Sequence, residues 1–162
     1  MTTDWTIEVR PWDDPAGVAL RARQEVELDA RYGIENPEPG TPPSVADVAH
    51  FVVAVDPHGR AVGCGALRQL DHGSAEIKRM YVDPVARGSG VATAVLRALE
   101  AAAVERGWST LRLETGTLQP DARRFYEREG YRHIDAFGSY VGSELSVCYE
   151  RRLVTPDRPA DR

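Results

Sequence analysis

Residues 75–106 read AEIKRMYVDPVARGSGVATAVLRALEAAAVER, and this stretch decides the fold. Its first part mixes polar and apolar residues and ends in β-formers before Asp83 and Pro84, where a strand must stop because proline cannot continue a ladder. Apolar residues then recur at helical spacing until Gly107 provides a stop: Val91, Val95, Leu99 and Ala102. The stretch therefore predicts a strand, a loop of small residues and a long helix.

The loop at residues 87–92, RGSGVA, opens the predicted helix. A helix start carries unpaired backbone N–H groups and the positive end of the macrodipole, and glycines let an anion approach without interference from a Cβ atom. The pattern therefore indicates a phosphate-binding loop. A strand–helix connection with two glycines for tight packing is the alternative, since such short patterns recur by chance.

Two common phosphate loops match this sequence poorly. A Walker A loop needs Lys followed by Ser or Thr after its last glycine, and Val91 and Ala92 stand there instead. A dinucleotide-binding fingerprint shares Gly88 and Gly90, but Thr93 replaces its third small residue and the segment DPVA separates strand from loop. The Walker interpretation fails, and the dinucleotide interpretation is weak.

The composition is that of one ordinary globular domain, with 162 residues, 42% hydrophobic and 28% charged. We assign the domain to residues 1–154 and expect residues 155–162 to form a loose C-terminal tail. The net charge of −5 argues against nucleic-acid binding and is compatible with an amine substrate.

The sequence indicates neither a metal site nor a membrane segment. Cys64 and Cys148 lack metal-ligand spacing, the histidines are scattered, and we expect both thiols to be reduced. The N-terminus is polar and no apolar run approaches about 18 residues, so no signal peptide or membrane span is expected. These observations favour a cytoplasmic location.

Six to seven strands and about four helices are predicted along the chain. Strands are expected at 6–10, 51–55, 61–70, 76–82, 110–115, 131–134 and 145–153. Helices are expected at 13–33, 91–106 and 121–129, with a helical turn at 45–49 behind a Ser44 cap. The strands from 51 to 82 predict an antiparallel meander, whereas the crossover helix makes 110–115 parallel to 76–82. The fold class is α/β (α+β), with a mixed, mostly antiparallel sheet. The proline-rich segment 35–44 either flanks a substrate opening or is a surface connector.

Two motifs resemble the Gcn5-related N-acetyltransferase (GNAT) family. One is VDPVARGSGVA at residues 82–92, which contains that family's R-x-x-G-x-A pyrophosphate loop at Arg87, Gly90 and Ala92. The other is QPDARRFYEREGY at residues 119–131, which is similar to the family's N-x-x-A-x-x-x-Y-E-x-x-G-(F/Y) segment, with Gln119 in place of Asn. The order of elements up to Leu153 is also that family's. EIKRMYV and LETG-x-LQP resemble a bacterial subgroup labelled indole-acetate acetyltransferases.

The resemblance implies an acetyl-CoA-dependent N-acetyltransferase, in which the amine of a small molecule or peptide attacks the thioester directly and no metal takes part. It implies that backbone amides of the loop hold the pyrophosphate and that a backbone N–H at the end of the preceding strand polarises the thioester carbonyl. The implied cofactor-binding residues are Arg87, Gly88, Ser89, Gly90, Val91, Ala92 and Thr93 in the loop, Met80, Tyr81 and Val82 in the strand, and Gln119 in the second motif. A catalytically silent CoA-binding sensor or protein-interaction module is the alternative, and a homodimer is an open alternative to a monomer.

The resemblance also suggests which groups move protons. Tyr126 is the candidate acid for the leaving thiolate; a phenol with a pKa of about 10 serves if the transfer is concerted or its pKa is lowered. Glu76 is the candidate base, and an ordinary Glu with a pKa of about 4.3 serves only if that pKa is raised or water relays the proton. Glu114, on the neighbouring strand, is the competing carboxylate.

The pattern also suggests residues that contact the substrate. Glu76, Lys78 and Met80 are expected to share one strand face unless a bulge intervenes. Candidate pocket residues are Glu25, Glu27, Tyr32, Arg79 and Tyr140, although a charged helix face or a surface ion pair is the favoured explanation for each of them.

Overall fold

A computed structural model describes residues 5–153 and shows a seven-stranded sheet with three α-helices in that part of the chain. The strands are β1 (Thr6–Val9), β2 (Val48–Val55), β3 (Ala61–Gln69), β4 (Ser74–Val82), β5 (Thr110–Gly116), β6 (Arg132–Ile134) and β7 (Ser146–Arg152). The helices are α1 (Pro15–Tyr32), α2 (Val91–Glu105) and α3 (Pro120–Arg128), with short 3₁₀ turns at Pro84–Ala86 and Gly138–Tyr140. The predicted tail, residues 155–162, lies outside the described residues.

The strands lie in the order β1-β2-β3-β4-β5-β7-β6. Only β4 and β5 are parallel within this sheet, and the other neighbouring pairs are antiparallel. The predicted fold class, strand number and meander are therefore confirmed. The helix number is three rather than about four, because Ser44 caps only a single turn before β2 begins at Val48.

The sheet is covered on both faces. The predicted apolar residues of α2 are all buried, and they pack with Leu67, Ile77 and Leu111 on one face. Leu20 of α1 packs with Phe51 on the other face. Successive residues of a strand point to opposite faces, and β2 follows this rule with Val52 in the first cluster and Val53 in the second. Burial of these side chains on both faces fixes the register of the central strands.

A β-bulge interrupts β4 at Arg79. Lys78 pairs with Ala66 and Tyr81 pairs with Cys64, so Arg79 and Met80 together oppose Gly65. Arg79 has a φ of 56°, the only positive φ outside glycine among the described residues. The extra residue turns Met80 toward α2, where its sulfur would lie 2.8 Å from a Cβ atom on Gly65. Glu76 and Lys78 therefore do not share a strand face with Met80.

The parallel strands β4 and β5 separate halfway along their length. Their ladder runs from the pair Ser74 and Thr110 to the pair Ile77 and Leu113, and no pairing between these strands follows. Beyond it β4 continues to Val82 and β5 to Gly116, so the backbone at this end of the two strands borders an opening. Helices α2 and α3 both begin shortly after these strand ends.

None of the helices found in residues 5–153 is both long enough and apolar enough to cross a membrane.

Candidate active site

The start of α2 is built to accept an anion. Gly88 and Gly90 have φ angles of 78° and 97°, which other residues rarely adopt, and Gly90 is the N-cap of the helix. No side chain caps this helix start and no acidic residue lies in its first turn. The first N–H groups of an α-helix have no partner within the helix, so those of residues 91–93 remain available to a ligand.

A cleft of about 480 Å³, which we call the loop cleft, runs from this loop between α1 and α3. Its lining contains every predicted cofactor-binding residue except Ser89, whose hydroxyl turns back to donate to the carbonyl of Ala86. Three arginines against two carboxylates leave the lining with a net charge of +1. The charged residues are Arg31, Arg87, Arg128, Glu27 and Asp121. The sign of this charge suits a phosphate-bearing ligand.

The side chain of Arg87 lies at the rim of the loop cleft and is already fixed. Its guanidinium donates to Glu27 at 2.7 Å and to the carbonyl of Val82 at 3.0 Å. Arg87 is therefore held in place by α1 and β4 before any phosphate arrives.

A second space of about 550 Å³, which we call the acidic cavity, continues from the loop cleft. The two spaces share six lining residues: Gln24, Leu28, Met80, Gln119, Ala122 and Tyr126. The proline-rich segment lines the acidic cavity from Glu35 to Gly40, opposite Glu114 and Thr115 of β5. A molecule in the loop cleft can thus reach a second molecule in the acidic cavity.

Tyr126 stands where the two spaces meet. It is 7% exposed and packs edge-on against Phe125 and Tyr131. Its hydroxyl has no hydrogen-bond partner among residues 5–153, and burial raises the pKa of Tyr126 above its ordinary value. A raised pKa keeps this phenol protonated at neutral pH.

Glu114 is a half-buried carboxylate in the wall of the acidic cavity. It accepts a hydrogen bond of 2.7 Å from the Ser146 hydroxyl, and no cation within residues 5–153 forms an ion pair with it. Desolvation is the main cause that raises the pKa of Glu114 to about 7. A group with this pKa can gain or lose a proton at neutral pH.

Glu76 has a different environment, although it lies on the adjacent strand. It is 2% exposed and accepts hydrogen bonds from Tyr140 at 2.5 Å and from Arg68 at 3.1 Å. Lys78 lies 3.7 Å from the Glu76 carboxylate, donates to the Tyr140 hydroxyl at 2.9 Å and also binds Glu38. Glu76 is part of this buried network and lines neither the loop cleft nor the acidic cavity.

The five candidate pocket residues are divided between these surroundings. Glu25, Tyr32 and Arg79 line the acidic cavity, Glu27 lines the loop cleft, and Tyr140 belongs to the buried network. Tyr32 reaches across to β5, where its hydroxyl would lie 1.7 Å from a Cβ atom on Gly116. Glycine at this position is what lets Tyr32 close one side of the cavity.

Gln24 and Glu38 are site residues that the sequence patterns did not reveal. The amide of Gln24 donates to the carbonyl of Met80 at 3.0 Å, and its oxygen is buried with no partner in the described part of the chain. The only sequence signal was the helical spacing of Gln24, Leu28 and Tyr32. Glu38 had no signal, because its position depends on how the proline-rich segment folds back over β4.

The chain is similar to acetyltransferases in both sequence and structure. An IAA acetyltransferase from Azospirillum brasilense is 38% identical over 96 residues, which are 59% of this chain and 63% of the relative. The chain spans less than two thirds of the length of the first curated relatives it matches, namely 63% and 62%.

Solved structures match over nearly the whole chain. A Klebsiella pneumoniae protein assigned to the acyl-CoA N-acyltransferases has a TM-score of 0.78 and 36% identity, and the match covers 93% of this chain and 98% of that one. A GNAT acetyltransferase from Elizabethkingia anophelis with acetyl-CoA bound has the same fold, with a TM-score of 0.69 at 16% identity over 92% of this chain and 98% of that one.

The family assignment rests on the region that contains both motifs. The model of the acetyltransferase (GNAT) family matches residues 9–131, which include the α2 loop, Glu114 and Tyr126. The expected class, an acyltransferase, is thereby confirmed at the level of the family. The chain belongs to the GNAT family of acetyltransferases.

Proposed function

We propose that this protein transfers the acetyl group of acetyl-CoA to an amine that binds in the acidic cavity. One observation carries the proposal: two adjoining spaces that share six lining residues lead from a helix start with free N–H groups to Glu114, and Tyr126 lines both of them. An anion site, an acid and a base lie along this path in that order, and acetyl transfer from a thioester to an amine requires all three.

The loop cleft fits coenzyme A. The N–H groups of residues 91–93 and the neighbouring arginines would hold the pyrophosphate. The buried, unpartnered oxygen of Gln24 would accept from an N–H of the pantetheine arm. The backbone of Met80–Val82, beyond the last paired residues of β4 and β5, would face the thioester carbonyl. Gln119 lines the same path, and its amide contacts the Tyr32 hydroxyl at 3.4 Å.

The geometry favours Glu114 over Glu76 as the base. An amine arrives mainly as an ammonium ion and must lose a proton before its nitrogen can attack. Glu114 faces the cavity and its pKa is raised to about 7, whereas Glu76 is enclosed by Arg68, Tyr140 and Lys78. In this mechanism Glu76 has a positioning role, because it holds Tyr140 and the cavity-lining Lys78 in place.

Tyr126 supplies the proton that the leaving sulfur takes up. Glu114 first takes a proton from the ammonium group and releases it to water. The neutral nitrogen then forms a C–N bond with the acetyl carbon as the C–S bond breaks, Glu114 accepts the further proton that this nitrogen loses, and Tyr126 donates one to the sulfur. Burial raises the pKa of Tyr126, so full transfer ahead of bond cleavage is unfavourable and the two events must be concerted. Exchange with water restores both groups.

Incubation with acetyl-CoA and a panel of amines tests this proposal when free thiol is followed over time. Thiol release that requires an amine is expected. Tight binding of CoA without thiol release on any amine would instead support the alternative of a CoA-binding sensor. Indole-acetate, which carries no amine, is tested beside the panel, because a relative that matches 59% of this chain is named an IAA acetyltransferase.

A further inference from the structure

The two connected spaces carry charge of opposite sign. Five carboxylates against two cations line the acidic cavity, which gives a net charge of −3 when all are ionised, whereas the loop cleft has a net charge of +1. The charged residues of the cavity are Glu25, Asp29, Glu35, Glu38, Glu114, Lys78 and Arg79. The acidic cavity, which lies away from the pyrophosphate site, therefore favours a positively charged ligand.

The two cations of the cavity are already neutralised. Lys78 donates to Glu38, and Arg79 lies 3.5 Å from the same carboxylate and 3.9 Å from Glu25. Lys78 is buried, so a carboxylate on the acceptor could reach it only by displacing Glu38. An anionic acceptor therefore finds no free partner in this cavity.

Two carboxylates at the mouth of the cavity remain unpaired. Asp29 and Glu35 are exposed and form no ion pair with any residue of the described range. Asp29 lies one helical turn after Glu25 on the face of α1 that lines the cavity. The lining of the cavity also contains apolar side chains, namely Leu28, Ile77 and Leu145, and these suit a chain of methylene groups.

We propose that the acceptor is an aliphatic diamine or polyamine. One amine reaches Glu114 and reacts, the methylene chain packs along Leu28, and a second ammonium group binds Asp29 and Glu35. This inference rests on the proposed acetyl transfer, because it assigns the acceptor of that reaction.

Three acceptors of equal chain length separate the alternatives: putrescine, butylamine and γ-aminobutyrate. Thiol release from acetyl-CoA is measured with each one, at low ionic strength where exposed charges are least screened. We expect kcat/KM to be highest for putrescine and lowest for γ-aminobutyrate. A preference for γ-aminobutyrate, or equal values for all three, would overturn the diamine assignment and leave the acetyltransferase intact. Absence of thiol release with every acceptor, together with measurable CoA binding, would overturn the proposed function and this inference with it.

A double variant tests the binding of the second ammonium group. Asp29→Asn with Glu35→Gln should lower the ratio of kcat/KM for putrescine to that for butylamine by about fivefold, as expected for two partly exposed ion pairs. Asp135→Asn with Glu105→Gln makes the same change in net charge at exposed residues that line neither space, and it should leave the ratio unchanged. An unchanged ratio in the first variant, or an equal fall in both, would contradict the proposal.

Discussion

The Ser146 hydroxyl donates a hydrogen bond of 2.7 Å to Glu114, from the strand β7 that pairs with β5. This neutral donor is the one direct hydrogen bond to that carboxylate within residues 5–153. A hydroxyl stabilises the ionised carboxylate only in part, and desolvation outweighs it. A buried carboxylate beside a cation would stay ionised, whereas Glu114 keeps a pKa of about 7 and can exchange protons with a substrate.

The pH dependence of the reaction should report this group. We expect kcat/KM for the amine to rise as pH increases through about 7, because Glu114 must be ionised to accept a proton. Glu114→Gln should lower kcat by about 100-fold or more and remove this limb of the profile. The measurement is the steady-state rate of thiol release between about pH 5.5 and 9, a range that extends to both sides of this pKa.

Glu76→Gln is the matched control for that experiment. It removes the same charge from the neighbouring strand, but at a position enclosed by Arg68, Tyr140 and Lys78. The limb near pH 7 should persist in this variant, while the free energy of unfolding falls by about 1–3 kcal/mol because buried donors lose part of their acceptor. A limb that disappears with Glu76→Gln and persists with Glu114→Gln would exchange the roles of the two residues.

The stability of the unsubstituted protein should change with pH in the opposite sense to its activity. A carboxyl whose pKa is raised by folding binds protons more tightly in the native state, so its ionisation destabilises the fold. This cost is absent below the ordinary pKa of 4.5, grows as pH rises toward 7 and is constant above that.

Glu114→Gln should therefore be more stable than the unsubstituted protein at pH 8, by about 1–3 kcal/mol, and equally stable near pH 4. Urea denaturation at the two pH values measures the difference. A variant that is less stable at pH 8 would show that Glu114 is not a desolvated carboxylate.

Tyr126→Phe should separate binding from chemistry. The substitution keeps the edge-on contacts with Phe125 and Tyr131 and removes only the hydroxyl, which has no partner in the described structure. We expect kcat to fall by about 100-fold and KM for acetyl-CoA to stay nearly constant, as for an acid needed only in the transition state. Tyr131→Phe, which removes a buried hydroxyl bound to Glu100, is the control for general loss of packing. An unchanged kcat in Tyr126→Phe would exclude this residue as the acid.

Gly90→Glu should abolish the anion site at the start of α2. The side chain would enter beside Trp5, 3.5 Å from an ideal Cβ atom, and would bring negative charge to the positive end of the helix. We expect the Kd of acetyl-CoA, measured by calorimetry, to rise by at least about tenfold.

Gly59→Glu is the control for this change, because Gly59 also has a positive φ, at 79°, but lies in an open turn between β2 and β3. Its Kd for acetyl-CoA should be unchanged. Equal affinities in the two variants would mean that the loop does not hold the pyrophosphate.

The sheet topology and the α2 loop could be predicted from the sequence because their signals are local. Gly88 and Gly90 are required by the backbone of the loop itself, and the buried stripe of α2 follows from helical spacing within one element. Tyr126 likewise lies inside a contiguous motif.

The environments of the two carboxylates could not be predicted, because they depend on contacts far apart in the chain. Glu76 is enclosed by Tyr140, 64 residues away, and Glu114 is bound by Ser146 from β7. The bulge at Arg79 depends on how β3 pairs with β4, and a strictly alternating pattern misplaces Met80. Gln24 of α1 contacts the carbonyl of Met80 in β4, and this contact between two separate elements has no signal in the sequence.

The most direct test of the central claim is mass analysis of an amine, putrescine first, after incubation with acetyl-CoA and the protein. The account predicts a monoacetylated amine formed in equal amount to the free thiol, with both products lost in Glu114→Gln and retained in Glu76→Gln. Free thiol without acetylated amine, or bound acetyl-CoA that stays intact with every amine tried, would contradict it.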